Sequence, residues 1–211
     1  MTDNWHKKLR NKNREEIVAA AKELFAKQSF LAVNIKEICV LAGVSRVTFY
    51  KHFQTMDELV FEVQVDILEG MTGFVRSAPS AGMNGKEMLA SMLKAWIDYG
   101  AQHPGYIRFI LLFDLHYEAY DSSHELRKQY EQYIGRAKER HFLLEALETG
   151  AEDGSLKRDA EPLQTALFIF TSMLALLQKI SLVPAAEPQS GLEARIADRF
   201  AGMLVEHLSA D

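Results

Sequence analysis

Residues 46–52, "RVTFYKH", gather a guanidinium, a β-branched apolar side chain, two hydroxyls, an ammonium and an imidazole within seven positions. Phe49 and Phe53 stand four apart, so on a helix they share one face. With those rings turned inward, Arg46, Val47, Thr48, Tyr50, Lys51 and His52 remain on or near the outer face. The chemistry of that set is recognition. A forked donor suits the guanine edge, a methyl suits thymine, and Lys and Tyr suit phosphate oxygens of a DNA backbone. Val47 and Thr48 are mediocre helix formers, so tertiary packing must hold so short a helix.

The preceding residues supply the elements that would position this face. A first helix carries the apolar stripe Ile17, Ala20, Ala21, Leu24 and Phe25 at helical spacing. A second, of about two turns, offers Ile35, Ile38, Cys39 and Ala42. Gly43 gives a tight turn its permissive backbone, Val44 is expected to be buried, and Ser45 caps the third helix. Two short helices across a three-residue turn make a helix-turn-helix. A cationic, aromatic outer face argues against a motif used merely to pack on protein.

The charge distribution agrees. The 211 residues carry a net charge of −5, yet residues 1–60 hold 10 Lys and Arg against 7 Asp and Glu, while residues 61–211 hold 14 against 22. Lys7, Lys8, Arg10, Lys12 and Arg14 form a basic arm ahead of an acidic body. Such asymmetry places a polyanion-facing module on a larger domain with another task. The single cysteine, Cys39, excludes an intramolecular disulfide and a cysteine metal cage; it is expected as a small core hydrophobe, with a redox sensor as the alternative. A cytoplasmic protein is expected, since no apolar stretch follows the N-terminal basic residues. The near-apolar run Ala166 to Leu177 is short for a membrane span and reads as a buried core helix.

The chain is expected to be all-α, with about nine helices near 13–28, 35–42, 46–52, 56–76, 86–102, 105–117, 123–150, 160–181 and 191–208. Helix-start pairs occur at Asn13/Glu16, Asn34/Glu37, Thr55/Glu58, Asn84/Glu87, Ser122/Glu125 and Ser190/Glu193, with a further start at Asp159 before Pro162. The natural division is 1–55, a basic arm and helix-turn-helix domain, and 56–211, a helical body. No zinc-protease, nucleophile-elbow, phosphate-loop or dinucleotide pattern is present, so neither catalysis nor a cofactor or metal is expected.

The body is rich in aromatics and methionine. Trp96, Tyr99, Phe109 and Phe113, with His116 and His141, are candidates to line a pocket between helices for an apolar or aromatic small molecule; Asp98 and Asp114 are further polar candidates. Core packing is the alternative for each. Leu163, Leu167, Phe170 and Leu174, then Ile196, Phe200 and Met203, could close a four-helix bundle with a second copy, with burial inside one chain as the alternative.

Residues 12 to about 62 resemble the DNA-binding domain of the TetR/AcrR family of transcriptional regulators. The resemblance is carried by "IVAAAKELFAKQSF" and "IKEICVLAGVSRVTFYKHFQTMDELV", above all "AGVS" followed by a short helix ending in Tyr-x-x-Phe. It implies a C-terminal ligand-binding, dimerising bundle. It also places Asn34 and Lys36, with the outer face of the third helix, against double-stranded DNA. Four positions depart from the family pattern: Ser29 replaces a helix-ending Gly, Val47 a smaller residue, Met56 a Lys and Cys39 an Ala. A homodimeric repressor on a palindromic operator, released by a small molecule, is the expected function. The alternatives are an effector-independent activator or non-specific binder, and a helical ligand carrier or enzyme with a vestigial DNA-binding motif.

Overall fold

The computed structural model describes residues 2–117, 124–159, 161–183 and 191–210; of residues 2–11 and 124 it describes the backbone alone. Among these residues the chain is helical throughout: α1 (Thr2–Lys27), α2 (Ile35–Leu41), α3 (Arg46–Tyr50), α4 (Met56–Arg76), α5 (Gly85–Gln102), α6 (Pro104–His116), α7 (His124–Glu139), α8 (Leu144–Asp153), α9 (Pro162–Ser181) and α10 (Leu192–Leu208), with a 3-10 turn at Phe30–Ala32. No strand occurs among the described residues, although Leu156 and Ser209 form an isolated antiparallel bridge.

The caps explain most of the boundaries. Asn34 and Asn84 each close a reciprocal capping box with the Glu three residues on. Thr55 accepts the Glu58 N–H, while the Glu58 carboxylate accepts the N–H of Gln54, one residue before the cap. Asn13 caps nothing: α1 already runs from Thr2, about 39 Å at 1.5 Å per residue, and Asn13 is interior to it. Ser29 needs no glycine conformation, since its φ of −58° leads into the 3-10 turn. The starts expected at Ser122 and Ser190 lie outside the described residues.

The helix expected over 123–150 is two helices. His141, Phe142 and Leu143 are all buried at the break between them. The chain turns there instead, with the Leu144 N–H donating to the carbonyl of His141. The second difference concerns α9. It is long and apolar enough to cross a membrane by length and composition, with mean hydropathy 1.4, yet 22% of that stretch is buried. It is therefore not the wholly buried core helix expected: Ala166, Ile169, Met173 and Leu177 face the core, while Phe168 is 62% exposed.

The head (α1 to α3 and the start of α4) closes on Ile17, Ala21, Phe25, Ile38, Phe49 and Phe53, all nearly inaccessible. Cys39 belongs to this core, and burial raises its thiol pKa more than the charge of Arg46 lowers it. In the body, α5 packs on α4, α8 and α10, and α6 bridges α1 and α9.

Candidate nucleic-acid interface and effector cavity

The turn before α3 is made by Gly43, whose φ of 66° is a conformation side chains disfavour. Ser45 then accepts the Thr48 N–H at 3.0 Å, and the two hydroxyls bond at 2.9 Å. Phe49 and Phe53 are buried with ring centroids 5.8 Å apart. Each such ring contributes about 1.5–3 kcal/mol on burial, enough to hold five residues that would not form a helix alone.

Opposite those rings, Val47 is 68% and Tyr50 48% exposed, and Arg46 and Lys51 are exposed with them. Thr48 is half-buried, its hydroxyl drawn into the cap. His52 is half-buried and lies past the last helical residue. At the start of α2, Asn34 and Lys36 are exposed; the Asn34 carbonyl oxygen is occupied by the Glu37 N–H, which leaves its amide nitrogen as a donor. A band of cations, hydroxyls and one methyl-bearing side chain is thus held on a rigid support.

Arg14 has another place than the basic arm. It spans α1 and α4 by pairing with both Glu62 oxygens, donates to the His52 carbonyl at 3.1 Å, and lies 4.4 Å over the Phe53 ring. Lys22 makes a second tie, 2.6 Å from Asp66. Sequence spacing gives no sign of either, because the partners are 48 and 44 residues away.

The head meets the body through aromatic rings. Phe25 stacks on Phe109, centroids 5.4 Å apart at 4°, and Phe30 packs edge-on to both Phe109 and His116. The His116 Nδ1 lies 2.8 Å from the Leu112 carbonyl oxygen. Gly105 brings α6 against the end of α1; a Cβ there would sit 2.4 Å from the Ala26 carbonyl oxygen. Phe109 and His116 therefore form the seam between the two parts.

Two adjoining cavities lie between α4, α6, α7 and α9. One, of about 230 Å³, is lined by Leu68, Arg76, Tyr133, His141, Phe142 and Phe170 among others. The second, of about 290 Å³, is lined by Gln64, Phe113, Asp114, Tyr130 and Leu174; Leu68, Ile134 and Phe170 belong to both. Of the pocket candidates, His141, Phe113 and Asp114 line a cavity. Trp96 is fully buried, donates to the Met71 sulfur at 3.2 Å and packs on Phe142 and Phe170 behind the first cavity. Tyr99 packs on Phe74 and His103 elsewhere, its phenol raised to about 12 chiefly by burial. Asp98 pairs with Lys94 at the surface.

Two buried polar atoms beside these cavities have no hydrogen-bond partner: His141 Nε2 and Gln64 Oε1. His141 is held neutral, its pKa lowered to about 4 by burial and by the charge of Arg76. Its Nδ1 accepts the Leu143 N–H at 3.3 Å, which puts the imidazole proton on Nε2. Burying a donor unsatisfied costs about 1–3 kcal/mol. Among the described residues no group of three or more His, Cys, Asp or Glu could hold a metal ion.

The apolar residues of the last helices divide. Leu167, Phe170 and Leu174 turn inward and line the cavities. Leu163 and Phe200 are half-buried, whereas Ile196 and Met203 are 46% and 57% exposed. Phe168, absent from the candidates, is the largest exposed ring on α9; its spacing from Leu182 and the exposed Thr171 and Ala175 marks an outward stripe.

Comparison with known proteins places these features. Residues 17–63 match the family of bacterial regulatory proteins of the tetR type. The chain is 24% identical over 162 residues to the HTH-type transcriptional repressor KstR2 of Rhodococcus jostii, covering 70% of each. It is 28% identical over 90 residues to the HTH-type transcriptional activator FasR of Mycolicibacterium smegmatis, a match that spans 43% of this chain and 41% of that protein. Among solved structures, a tetR-family regulatory protein from Rhodococcus superposes with a TM-score of 0.65 at 18% identity, covering 94% of this chain and 98% of that one. AibR, solved with isovaleryl coenzyme A and operator DNA, superposes at 0.63 with 21% identity, covering 92% and 98%. Those two likenesses concern the fold. The matched helix-turn-helix with its exposed cationic face identifies the chain as a member of the TetR family of DNA-binding transcriptional regulators, and the likenesses show the same fold across the body.

Proposed function

We propose that the protein is a homodimeric repressor that leaves a palindromic operator when a small molecule enters the body. The exposed face of α3, with Arg46, Val47, Tyr50 and Lys51 held outward by two buried rings, carries this reading. Two copies of that helix would enter successive major grooves about 34–36 Å apart, with Asn34 and Lys36 on phosphates. The division at residues 55 and 56 separates this reader from the rest. The outward stripe on α9, with Ile196 and Met203 on α10, is the surface for the second copy, and it supplies the two-fold axis a palindrome requires.

The cavities between α4, α6, α7 and α9 are the effector site. Phe113 at the cavity wall lies 6.4 Å from Phe109, which stacks on Phe25 in the head, so an unbroken line of rings joins cavity and reader. An effector that binds better when the two heads are wrongly spaced releases DNA; couplings of this kind amount to about 1–3 kcal/mol. The neighbour AibR, solved with both a coenzyme A thioester and operator DNA, supports the pairing of the two activities. FasR is an activator and KstR2 a repressor; repression is favoured here because entry of a ligand between α4, α6, α7 and α9 gives release a physical trigger.

The test is selection of bound genomic fragments at physiological salt by the intact protein and by a Tyr50→Ala, Lys51→Ala variant. A palindrome recovered by the intact protein, with affinity reduced roughly a hundredfold in the variant and unchanged melting, is the expected result. Recovery of no preferred sequence would overturn the assignment.

A further inference from the structure

We propose that the effector is a small organic anion, an apolar body ending in an acid group, whose acid lies at the Arg76–His141 end of the cleft between α4, α7 and α9. The proposal rests on the effector-site reading above and names the chemistry of that site.

Three observations converge. The first is charge. Arg76, Lys138 and Arg140 all line the 230 Å³ cavity, and among its lining residues there is no carboxylate. Arg76 ends α4, and Lys138 and Arg140 lie at the end of α7. A cation in a last helical turn complements the helix dipole, which accounts for each singly. It does not account for two helix ends bringing three cations to one apolar hollow.

The second is the neutral imidazole of His141. Its Nδ1 is taken by the Leu143 N–H, so its Nε2–H is a donor, sealed from solvent and without a partner. His141 lines the hollow, so a small turn of its ring would offer this donor to an acid oxygen beside Arg76 in a charge-assisted hydrogen bond. The third is shape. The rest of the wall is Leu68, Tyr133, Ile134, Phe142, Leu167 and Phe170. The hollow adjoins the cavity lined by Phe113, Tyr130 and Leu174, so an apolar chain can run on. Asp114 lines that far end and repels a second negative charge, which fixes the direction of entry: acid toward Arg76, body toward Phe113. The expectation of an apolar or aromatic effector is thereby narrowed to one with a charged head.

The experiment is calorimetric titration of the full-length protein, without DNA, with octanoate, octyl phosphate, 1-octanol and octylamine. At least one of the two anions should bind roughly tenfold or more tightly than octanol, with octylamine weakest. The two anions separate a carboxylate head from a phosphate head. Arg76→Gln, at an exposed position, should weaken the anion about tenfold while octanol changes little, and His141→Phe should weaken it as well. Octanol or octylamine binding as tightly as both anions, none of the four binding, or full anion affinity in Arg76→Gln would each overturn the proposal. Operator binding is measured separately by fluorescence anisotropy. Anion binding that leaves operator affinity unchanged would refute release by effector but keep the site. Absence of anion binding beside intact operator binding would refute the site but keep the DNA reader.

Discussion

The guanidinium of Arg14 holds both carboxylate oxygens of Glu62, at 3.1 and 2.8 Å. The pair joins the first helix of the reader to the helix that leads into the body, and a third bond to the His52 carbonyl pins the chain just beyond α3. Arg14→Ala is expected to cost about 1–2 kcal/mol, more than an exposed ion pair, because a two-pronged bond, a backbone bond and a ring contact go together. Thermal melting measures the loss. Arg14→Lys should recover part of it, since an ammonium cannot span both oxygens.

Gly105 sets how closely α6 approaches α1. A methyl group there would meet the carbonyl oxygen of Ala26 at 2.4 Å, and backbone cannot give way as a side-chain tip can. Gly105→Ala should therefore destabilise by about 1–3 kcal/mol and shift the seam formed by Phe25, Phe30 and Phe109. Melting reports the first effect, and operator affinity measured with and without effector reports the second.

His141 predicts an acid limb in stability. Its folded pKa is about 4 against an ordinary 6.5, so the unfolded chain takes up the proton first as pH falls. The contribution is complete above pH 6.5, declines through the interval and is lost below about pH 4. His141→Phe, which cannot be protonated, should flatten the melting temperature by a few degrees across that window. An unaltered profile would show that the imidazole is not held neutral.

If α9 and α10 meet their copies, charge on the outward stripe will part them. Phe168→Glu with Met203→Glu should weaken self-association by roughly thirtyfold or more, read by sedimentation. Leu163→Ala, at a half-buried position, should weaken it less.

The reader was legible because its signals are local. Two rings four apart, a glycine, a serine cap and the Asn34–Glu37 box all lie within twenty residues, and each has one physical meaning. The long-range ties were not legible. Arg14 reads as one more charge in a basic run, and nothing in the spacing links it to Glu62. The break between α7 and α8 was hidden because no glycine or proline stands between Arg136 and Thr149 to mark it. Residue type also fails to separate pocket from core. Trp96 and Phe113 are equally good candidates by type, yet one is sealed behind the cavity and the other lines it. The inward turn of Leu167, Phe170 and Leu174, and the outward one of Phe168, follow from the angle at which α9 lies on its neighbours, which periodicity does not specify.

The thiol of Cys39, buried in the head and raised in pKa, is the sole cysteine of the chain. Thiol-directed reagents at neutral pH act on the thiolate, so they will pass over it and react with any cysteine placed at the surface. The protein thus comes ready for site-directed spin or fluorophore labelling without removal of a native residue. One label on each reader would turn the separation of the two heads, which decides whether they span successive grooves, into a directly observable length.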